Sequence, residues 1–188
     1  SPKRVNAAII NYLKAAPDCG AVLLVTWSAY EHLSYFHRPE NWIRIIDEVP
    51  QLDAFHPFRL PRNHQFLTEN IEIRPSINQQ IVEVGSKDHW ALKRLLGKPH
   101  DEVDDHFRPL FQALLSQHKT VYVDADSWTR IAENHLVSED DEEKNRIYFL
   151  AMLKPSLFQN SILLGANVEG SMLIDWLTRH HRKTFIPE

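Results

Sequence analysis

The segment at residues 42–50, WIRIIDEVP, places the tightest constraint on how this chain folds. A short, mostly apolar run of this kind predicts a buried strand, and the proline after it ends the strand. The carboxylates of Asp47 and Glu48 follow the run directly. The segment therefore predicts a strand that delivers two acidic side chains to the edge of a sheet.

Two further apolar runs predict strands of the same type. Residues 21–26, AVLLVT, and 161–166, SILLGA, are nearly continuous apolar stretches, which is typical of strands buried on both faces of a parallel sheet. Helices are predicted before the first strand, at 4–16, and after it, at 29–36 with Ser28 as the N-cap. A strand, a helix and a strand with short connections form the βαβ unit of a parallel sheet.

The pattern changes after Pro50. Residues 51–74 hold scattered apolar residues and predict an extended excursion with one strand at 70–74. Later spacings predict a mixture of elements: strands at 80–84 and 120–124, helices at 87–96, 102–117 and 127–136, and a helix or strand at 148–153. We therefore predict an α/β fold in which 1–57 and 155–188 build a parallel sheet and 58–154 form an α+β insertion.

Composition narrows the class of protein. The 188 residues are 43% hydrophobic and 24% charged, which suffices for one substantial core or two small ones. The net charge of -4 gives no overall attraction for nucleic acids or anionic membranes, so such contacts depend on local patches. The single cysteine, Cys19, and the lack of a signal-like start favour a cytoplasmic location. No apolar run reaches the roughly 20 residues that span a bilayer, so we expect no membrane partner.

Asp47 and Glu48 are the first candidates for chemistry. Binding sites of parallel sheets lie at the carboxyl ends of the strands, where side chains converge without disturbing the core. An aspartate there can hold a magnesium ion, usually through water, and the adjacent glutamate can orient an attacking water molecule. The competing interpretation is a solvated strand end without chemistry.

Three segments, VLLVT at 22–26, IDEVP at 46–50 and LLGAN at 163–167, resemble in this order the central part of the first RecA-like domain of superfamily 2 helicases, especially phage-type helicases. The resemblance implies a RecA-like parallel sheet, the cofactors Mg²⁺ and ATP, and DNA or RNA as the partner. It also implies that Asp47 is the magnesium-linked acid and Glu48 the catalytic glutamate of the Walker B motif.

The same resemblance implies roles for two other segments. Thr26, Trp27 and Ser28 match the strand-end segment of the family that touches the nucleic-acid backbone. The family's Ser-Ala-Thr segment, which couples ATP hydrolysis to strand movement, corresponds here to Gly165, Ala166 and Asn167.

A phosphate loop of the form G-x-x-x-x-G-K-[ST] does not occur in the sequence, because Gly97-Lys98 lacks the upstream glycine and the following hydroxyl residue. Backbone amides and a lysine hold the phosphates in such loops. We therefore expect this chain alone to bind no ATP tightly and to be inactive. The chain begins at Ser1 rather than a methionine, so we expect an excised piece whose partners are a phosphate-loop segment and a second RecA-like domain of the parent protein.

Other features keep other functions open. The segment 58–66, FRLPRNHQF, mixes cations with aromatic residues as single-strand-binding surfaces do, which makes Arg59 and Arg62 candidates for nucleic-acid contact. Residues 100–106, HDEVDDH, predict either a metal site or an acidic helix start. One alternative to the ATPase is a non-enzymatic phage or plasmid accessory binding module with an α/β fold. Another is a small metal-dependent nuclease that uses Asp47, Glu48 and Asp53.

Overall fold

The computed structural model describes residues 2–60, 64–74, 80–97, 102–133, 146–165 and 170–180. The chain separates into two units: Ser1–Leu52 with Lys154–Glu188, and the continuous segment Asp53–Leu153. In chain order the elements are α1 (Pro2–Ala15), α2 (Trp27–Glu31), β1 (Arg44–Ile46), β2 (Asp53–Arg59), α3 (Gln65–Asn70), β3 (Ile71–Arg74), β4 (Ile81–Ser86), α4 (His89–Gly97), α5 (Glu102–Leu115), β5 (Lys119–Asp124), α6 (Ala125–Ala132), β6 (Arg146–Leu153), β7 (Ser161–Leu163) and α7 (Met172–His180).

The first unit contains a pair of parallel strands. Strand β1 pairs with β7 so that Ile45 lies opposite Ile162. The ladder continues past β7, because the amide of Leu164 donates to the carbonyl of Ile46 at 2.7 Å. The unit also contains α1, α2, α7 and two short 3-10 helices, Pro39–Asn41 and Pro155–Phe158.

Helix α1 forms where its amphipathic spacing predicts it. Ile9 and Leu13, one turn apart on the apolar face, are buried. The helix ends at Ala15, two positions before Pro17, which cannot continue it. The helix predicted at 4–16 is confirmed, with its start at Pro2.

The strand predicted at 21–26 is wrong. These residues have no regular secondary structure, and Val22 and Leu24 are 78% and 91% exposed. An apolar run becomes a strand only when a neighbouring strand accepts its hydrogen bonds, and no strand of the described residues pairs with this one. The helix after it is also shorter than predicted. Helix α2 begins at Trp27, and its N-cap is Thr26 rather than Ser28, since the Thr26 hydroxyl accepts a hydrogen bond from the Ala29 amide at 3.2 Å.

The prediction that β1 and β7 are buried strands holds for one face only. Ile46 is buried, whereas Ile45, on the other face of β1, is 64% exposed. The described parallel sheet has two strands rather than a larger layered set. Burial on both faces requires covering elements on both sides. The described part of the chain supplies them on one side only.

The second unit is built on a five-stranded antiparallel sheet with the strand order β2-β6-β5-β4-β3. The strands predicted at 80–84 and 120–124 and the helices predicted at 87–96, 102–117 and 127–136 are confirmed as β4, β5, α4, α5 and α6, with shifted ends. The ambiguous segment at 148–153 is a strand, β6. The second unit runs from Asp53 to Leu153, whereas the predicted insertion runs from 58 to 154.

The core of the second unit lies on one face of this sheet. Ile147, Phe149 and Ala151 alternate along β6 and are buried, and residues from all four helices of the unit belong to the same cluster. Phe58 of β2 stacks on Phe107 of α5, with ring centroids 5.0 Å apart. Helices α3 to α6 therefore cover this inner face.

The interpretation of 51–74 as an extended excursion with one strand is wrong. The segment contains two strands, β2 and β3, and helix α3 between them. Pro57 argues against a strand, because proline cannot donate a ladder hydrogen bond. Strand β2 tolerates it because β2 lies at the edge of the sheet, where half of the backbone groups need no partner strand.

No helix in the described ranges is long and apolar enough to cross a membrane.

Candidate nucleotide and metal site

A cavity of about 530 Å³ lies at the end of β1 in the first unit. Four of the residues predicted for the site line it: Thr26, Trp27, Asp47 and Glu48. The rest of its lining is largely aromatic and aliphatic and includes Tyr30, Phe36, Trp42, Arg44 and Pro50. A concave, mostly apolar site with a few convergent polar groups is the usual form of a small-ligand pocket.

The end of β1 sets the position of the two acids. Ile46 is buried, and the chain turns out of the strand immediately after it, so that Asp47 and Glu48 are both exposed. Pro50 is buried again and closes the segment. The carboxylates thus reach solvent at the mouth of the cavity while the residues on either side hold the backbone.

The N-terminus of α2 forms another part of the wall. Thr26 caps the helix through its side chain. Trp27 is its first residue, and its ring lies 5.6 Å from Tyr30 and stacks on Phe158 at 6.1 Å, measured between centroids. Helix α2 has one and a half turns, so we assign no anion-binding role to its N-terminus.

A partly buried polar network forms one part of the cavity wall. The Arg44 guanidinium donates to the Tyr30 hydroxyl at 2.7 Å, and this hydroxyl donates to the carbonyl of Leu157 at 3.1 Å. The second donor to the same carbonyl is Arg44, at 3.4 Å. Burial raises the pKa of Tyr30, and the charge and hydrogen bond of Arg44 partly oppose that rise. Among the described residues, nothing accepts a hydrogen bond from the buried Arg44 Nε.

The donor set determines which metal the site suits. The described residues contain no group of three or more histidine, cysteine, aspartate or glutamate side chains that could enclose an ion. A zinc or calcium site made only of protein ligands does not fit such a set. Magnesium fits better, because it is commonly held by one or two carboxylates together with waters and the phosphates of a ligand. Asp47 and Glu48 are two adjacent exposed carboxylates in the lining of this cavity.

The parallel pairing brings Gly165, the described residue of the predicted coupling segment, to the same edge of the sheet as the acids. Ile46 lies opposite Leu163, so Asp47 and Leu164 are the next residues along the two strands. Gly165 follows and is exposed. Ala166 and Asn167 lie outside the described residues.

Two other predicted nucleic-acid contacts, Ser28 and Arg59, are not among the described residues that line this cavity. Ser28 lies on α2 but does not line it, and its carbonyl faces the His32 ring nitrogen at 2.7 Å. Arg59 ends β2 in the second unit and is exposed. Arg62 lies outside the described residues. The structure therefore groups two of the five predicted nucleic-acid residues with the acids.

The alternative metal sites receive no support. Of the segment 100–106, His100 and Asp101 lie outside the described residues. Asp105 pairs with Arg108, and the His106 ring packs edge-on against Phe107 with centroids 4.9 Å apart. Asp47 and Glu48 belong to the first unit and Asp53 to the second, so the nuclease interpretation stays a prediction.

Sequence reasoning missed the network of Arg44 and Tyr30. One signal was present, because Arg44 interrupts the apolar run Ile43-Arg44-Ile45-Ile46. A charged residue inside a predicted buried strand needs a polar partner. The partners could not be named, because Leu157 and Tyr30 are separated by 127 positions.

Comparison with protein-family models, with curated proteins and with solved structures finds no match to this chain.

Proposed function

We propose that the chain is the central part of a nucleic-acid-dependent ATPase of the helicase type, with a RecA-like sheet in its first unit. The observation that carries this proposal is the parallel pairing of β1 with β7. The pairing supports it because Asp47, Glu48 and Gly165 follow the carboxyl ends of two adjacent parallel strands. Ligands of open α/β sheets bind at such ends.

The exposed face of the parallel pair also supports a larger sheet. Ile43, Ile45, Ile162 and Leu164 are all exposed, although parallel sheets are normally covered on both faces. In the parent protein, further strands and helices would cover these residues. A segment with a phosphate loop and a second RecA-like domain are the partners that the resemblance implies, and the protein would work in the cytoplasm.

The proposed roles follow from exposure and position. Asp47 would hold hydrated Mg²⁺, and Glu48 would orient the attacking water and accept its proton. Bound Mg²⁺ would supply charge neutralisation at the phosphates of ATP. Contacts to DNA or RNA would come from Thr26, Trp27, Ser28, Arg59 and Arg62, and coupling to movement from Gly165, Ala166 and Asn167. This chain alone, without a phosphate loop, would not hydrolyse ATP.

The Glu48→Gln substitution tests the proposal in the parent protein. We expect the rate of nucleic-acid-stimulated ATP hydrolysis to fall by about 10²-fold or more, because a positioned general base typically contributes about 10²–10⁴-fold. Binding of a fluorescent ATP analogue should persist, because the amide has nearly the shape of the carboxylate.

Glu40→Gln is the matched control. Glu40 is exposed in the same unit but lines a different cavity from Asp47 and Glu48. The Glu40→Gln substitution should leave the rate of ATP hydrolysis unchanged. Normal hydrolysis by the Glu48→Gln protein would rule out the role of Glu48. A parent without a phosphate loop and without ATPase activity would favour the accessory binding module instead.

A further inference from the structure

The antiparallel sheet of the second unit has a second face, which we call the outer face. Its residues alternate with the core residues along each strand. On β6 they are Arg146, Tyr148, Leu150 and Met152, and on β2 they are Asp53, Phe55, Pro57 and Arg59. Helices α3 to α6 contribute to the core on the inner face, so none of these four helices covers the outer one.

A stacked aromatic pair stands on this outer face. The rings of Phe55 and Tyr148 come from neighbouring strands, with centroids 5.3 Å apart and planes 14° from parallel. Phe55 is 61% exposed and Tyr148 is 41% exposed. Large aromatic surfaces on a sheet are usually buried. An exposed pair with one shared orientation is a platform on which another flat ring can stack.

Two guanidinium groups flank the platform. Arg59 and Arg146 lie directly opposite each other in the register of β2 and β6, and both are exposed. Arg146 and Tyr148 are two residues apart on the same face, which separates them by about 6.8 Å along the strand. A phosphate between the two groups would accept charge-assisted hydrogen bonds from them.

We propose that the outer face of the second unit binds single-stranded nucleic acid, with a base stacked on Phe55 and Tyr148 and the backbone phosphates on Arg59 and Arg146. Stacking platforms beside cationic groups are how proteins hold single strands without reading sequence. A duplex does not suit the surface, because its bases expose no ring faces.

Charge on the rest of the outer face sets the path of the strand. Glu83 of β4 lies on this face, two strands away from β6, and pairs with Arg74 at 3.3 Å. This ion pair adds no net positive charge for a phosphate. The Asp53 carboxylate lies on the same face, at the opposite end of β2 from Arg59. The bound strand should therefore run along β2 and β6, over the aromatic pair and towards the two arginines, away from Asp53.

The test uses the full 188-residue chain and fluorescein-labelled dT15 and rU15, with binding followed by anisotropy at low salt. Phe55→Ala and Tyr148→Ala should each weaken binding by about tenfold, because stacking contributes about 1–3 kcal/mol per base. Tyr148→Phe, which keeps the ring, should retain the affinity. Arg59→Gln should lower the slope of log K against log salt by about 0.7, the value for one phosphate contact of a single strand.

Trp90→Ala is the matched control. Trp90 is 73% exposed but lies on α4, on the inner side of the sheet. The Trp90→Ala protein should bind both oligonucleotides with the affinity of the unchanged chain. Preference for dT15 or rU15 distinguishes DNA from RNA. A 15-base-pair duplex should bind at least tenfold more weakly than either.

Three results would overturn the proposal: no binding of either oligonucleotide, equal binding of the duplex, or equal affinity of the Phe55→Ala, Tyr148→Ala and Trp90→Ala proteins. Circular dichroism of each variant separates lost binding from lost folding, and the retained binding of Tyr148→Phe provides a second check. The proposal rests on residues of the second unit alone. Failure of the Glu48 assignment would therefore leave oligonucleotide binding by the outer face intact. Failure of oligonucleotide binding by the outer face would likewise leave the Glu48 assignment intact.

Discussion

At the residue scale, the Tyr30 hydroxyl joins parts of the first unit that are far apart in sequence. It accepts a hydrogen bond from Arg44 of β1 and donates one to the carbonyl of Leu157 in a 3-10 helix. Tyr30 itself belongs to α2 and is buried. One hydroxyl therefore satisfies polar groups of two other elements in an environment where an unpaired group is unfavourable.

Removing this hydroxyl should destabilise the protein. For Tyr30→Phe we expect the free energy of unfolding to fall by about 1–3 kcal/mol, because the partly buried Arg44 guanidinium loses an acceptor. Urea titration measures the change. Tyr35→Phe is the control. Tyr35 is exposed and its hydroxyl contacts a neighbour in sequence, His37, at 2.9 Å, so the change should alter stability by less than about 0.5 kcal/mol.

Tyr30→Phe should also change how the free energy of unfolding depends on pH. Burial raises the pKa of Tyr30 in the folded protein above the ordinary value of 10.0. The folded state therefore holds this proton more tightly than the unfolded chain does, so the contribution to stability is full below pH 10 and is lost as the pH rises through the raised pKa. Unfolding curves of Tyr30→Phe should lack this alkaline loss. An identical loss in both proteins would contradict the role of Tyr30.

At the element scale, β1 has one buried and one exposed face. Ile46→Ala should lower the free energy of unfolding by about 2 kcal/mol or more, the usual range for an isoleucine truncated in a core. Ile45→Ala, one position earlier on the exposed face, should cost less than about 1 kcal/mol. Thermal unfolding of both proteins measures the difference. Equal losses would mean that both faces of β1 are covered.

Elements with strong local patterns could be predicted from the sequence, and those that depend on partners could not. The amphipathic spacing of α5 and the alternation of β5 are properties of the segment itself. Residues 21–26 have an equally strong apolar pattern, but no described strand pairs with them. Strand β2 has a weak pattern because of Pro57, yet it pairs along its whole length with β6.

The same contrast between local sequence pattern and dependence on a partner strand applies to the residues of the candidate sites. Asp47 and Glu48 could be placed at a strand end because the apolar run and the proline are adjacent to them in the sequence. The stacking of Phe55 on Tyr148 could not be foreseen, because it depends on the register of two strands that are far apart in the chain. Antiparallel register is set by pairing across the sheet and not by either strand alone.

At the scale of the whole molecule, the two units differ in how the chain builds them. The strands of the first unit, β1 and β7, come from opposite sides of the second unit in sequence. Every strand of the five-stranded sheet and every helix on its inner face lies within Asp53–Leu153. The second unit therefore contains all the residues of its own core, and the first unit depends on chain segments that meet only after folding.

We expect residues 53–153, expressed alone, to fold cooperatively. The segment has the size of the commonest domains, about 100–150 residues, and keeps the whole cluster around Phe149. Far-UV circular dichroism should show mixed helix and strand, with a single thermal transition. Phe149→Ala should lower the free energy of unfolding by about 3–5 kcal/mol, because it truncates a fully buried ring.

Phe55→Ala is the matched control in the same segment, because Phe55 is an exposed phenylalanine of the same sheet. It should shift the transition much less than Phe149→Ala does. A segment that stays unfolded, or equal shifts for the two variants, would mean that the inner-face cluster is not a self-sufficient core. The antiparallel sheet would then need the first unit to fold, and its outer face could not act as an independent binding surface.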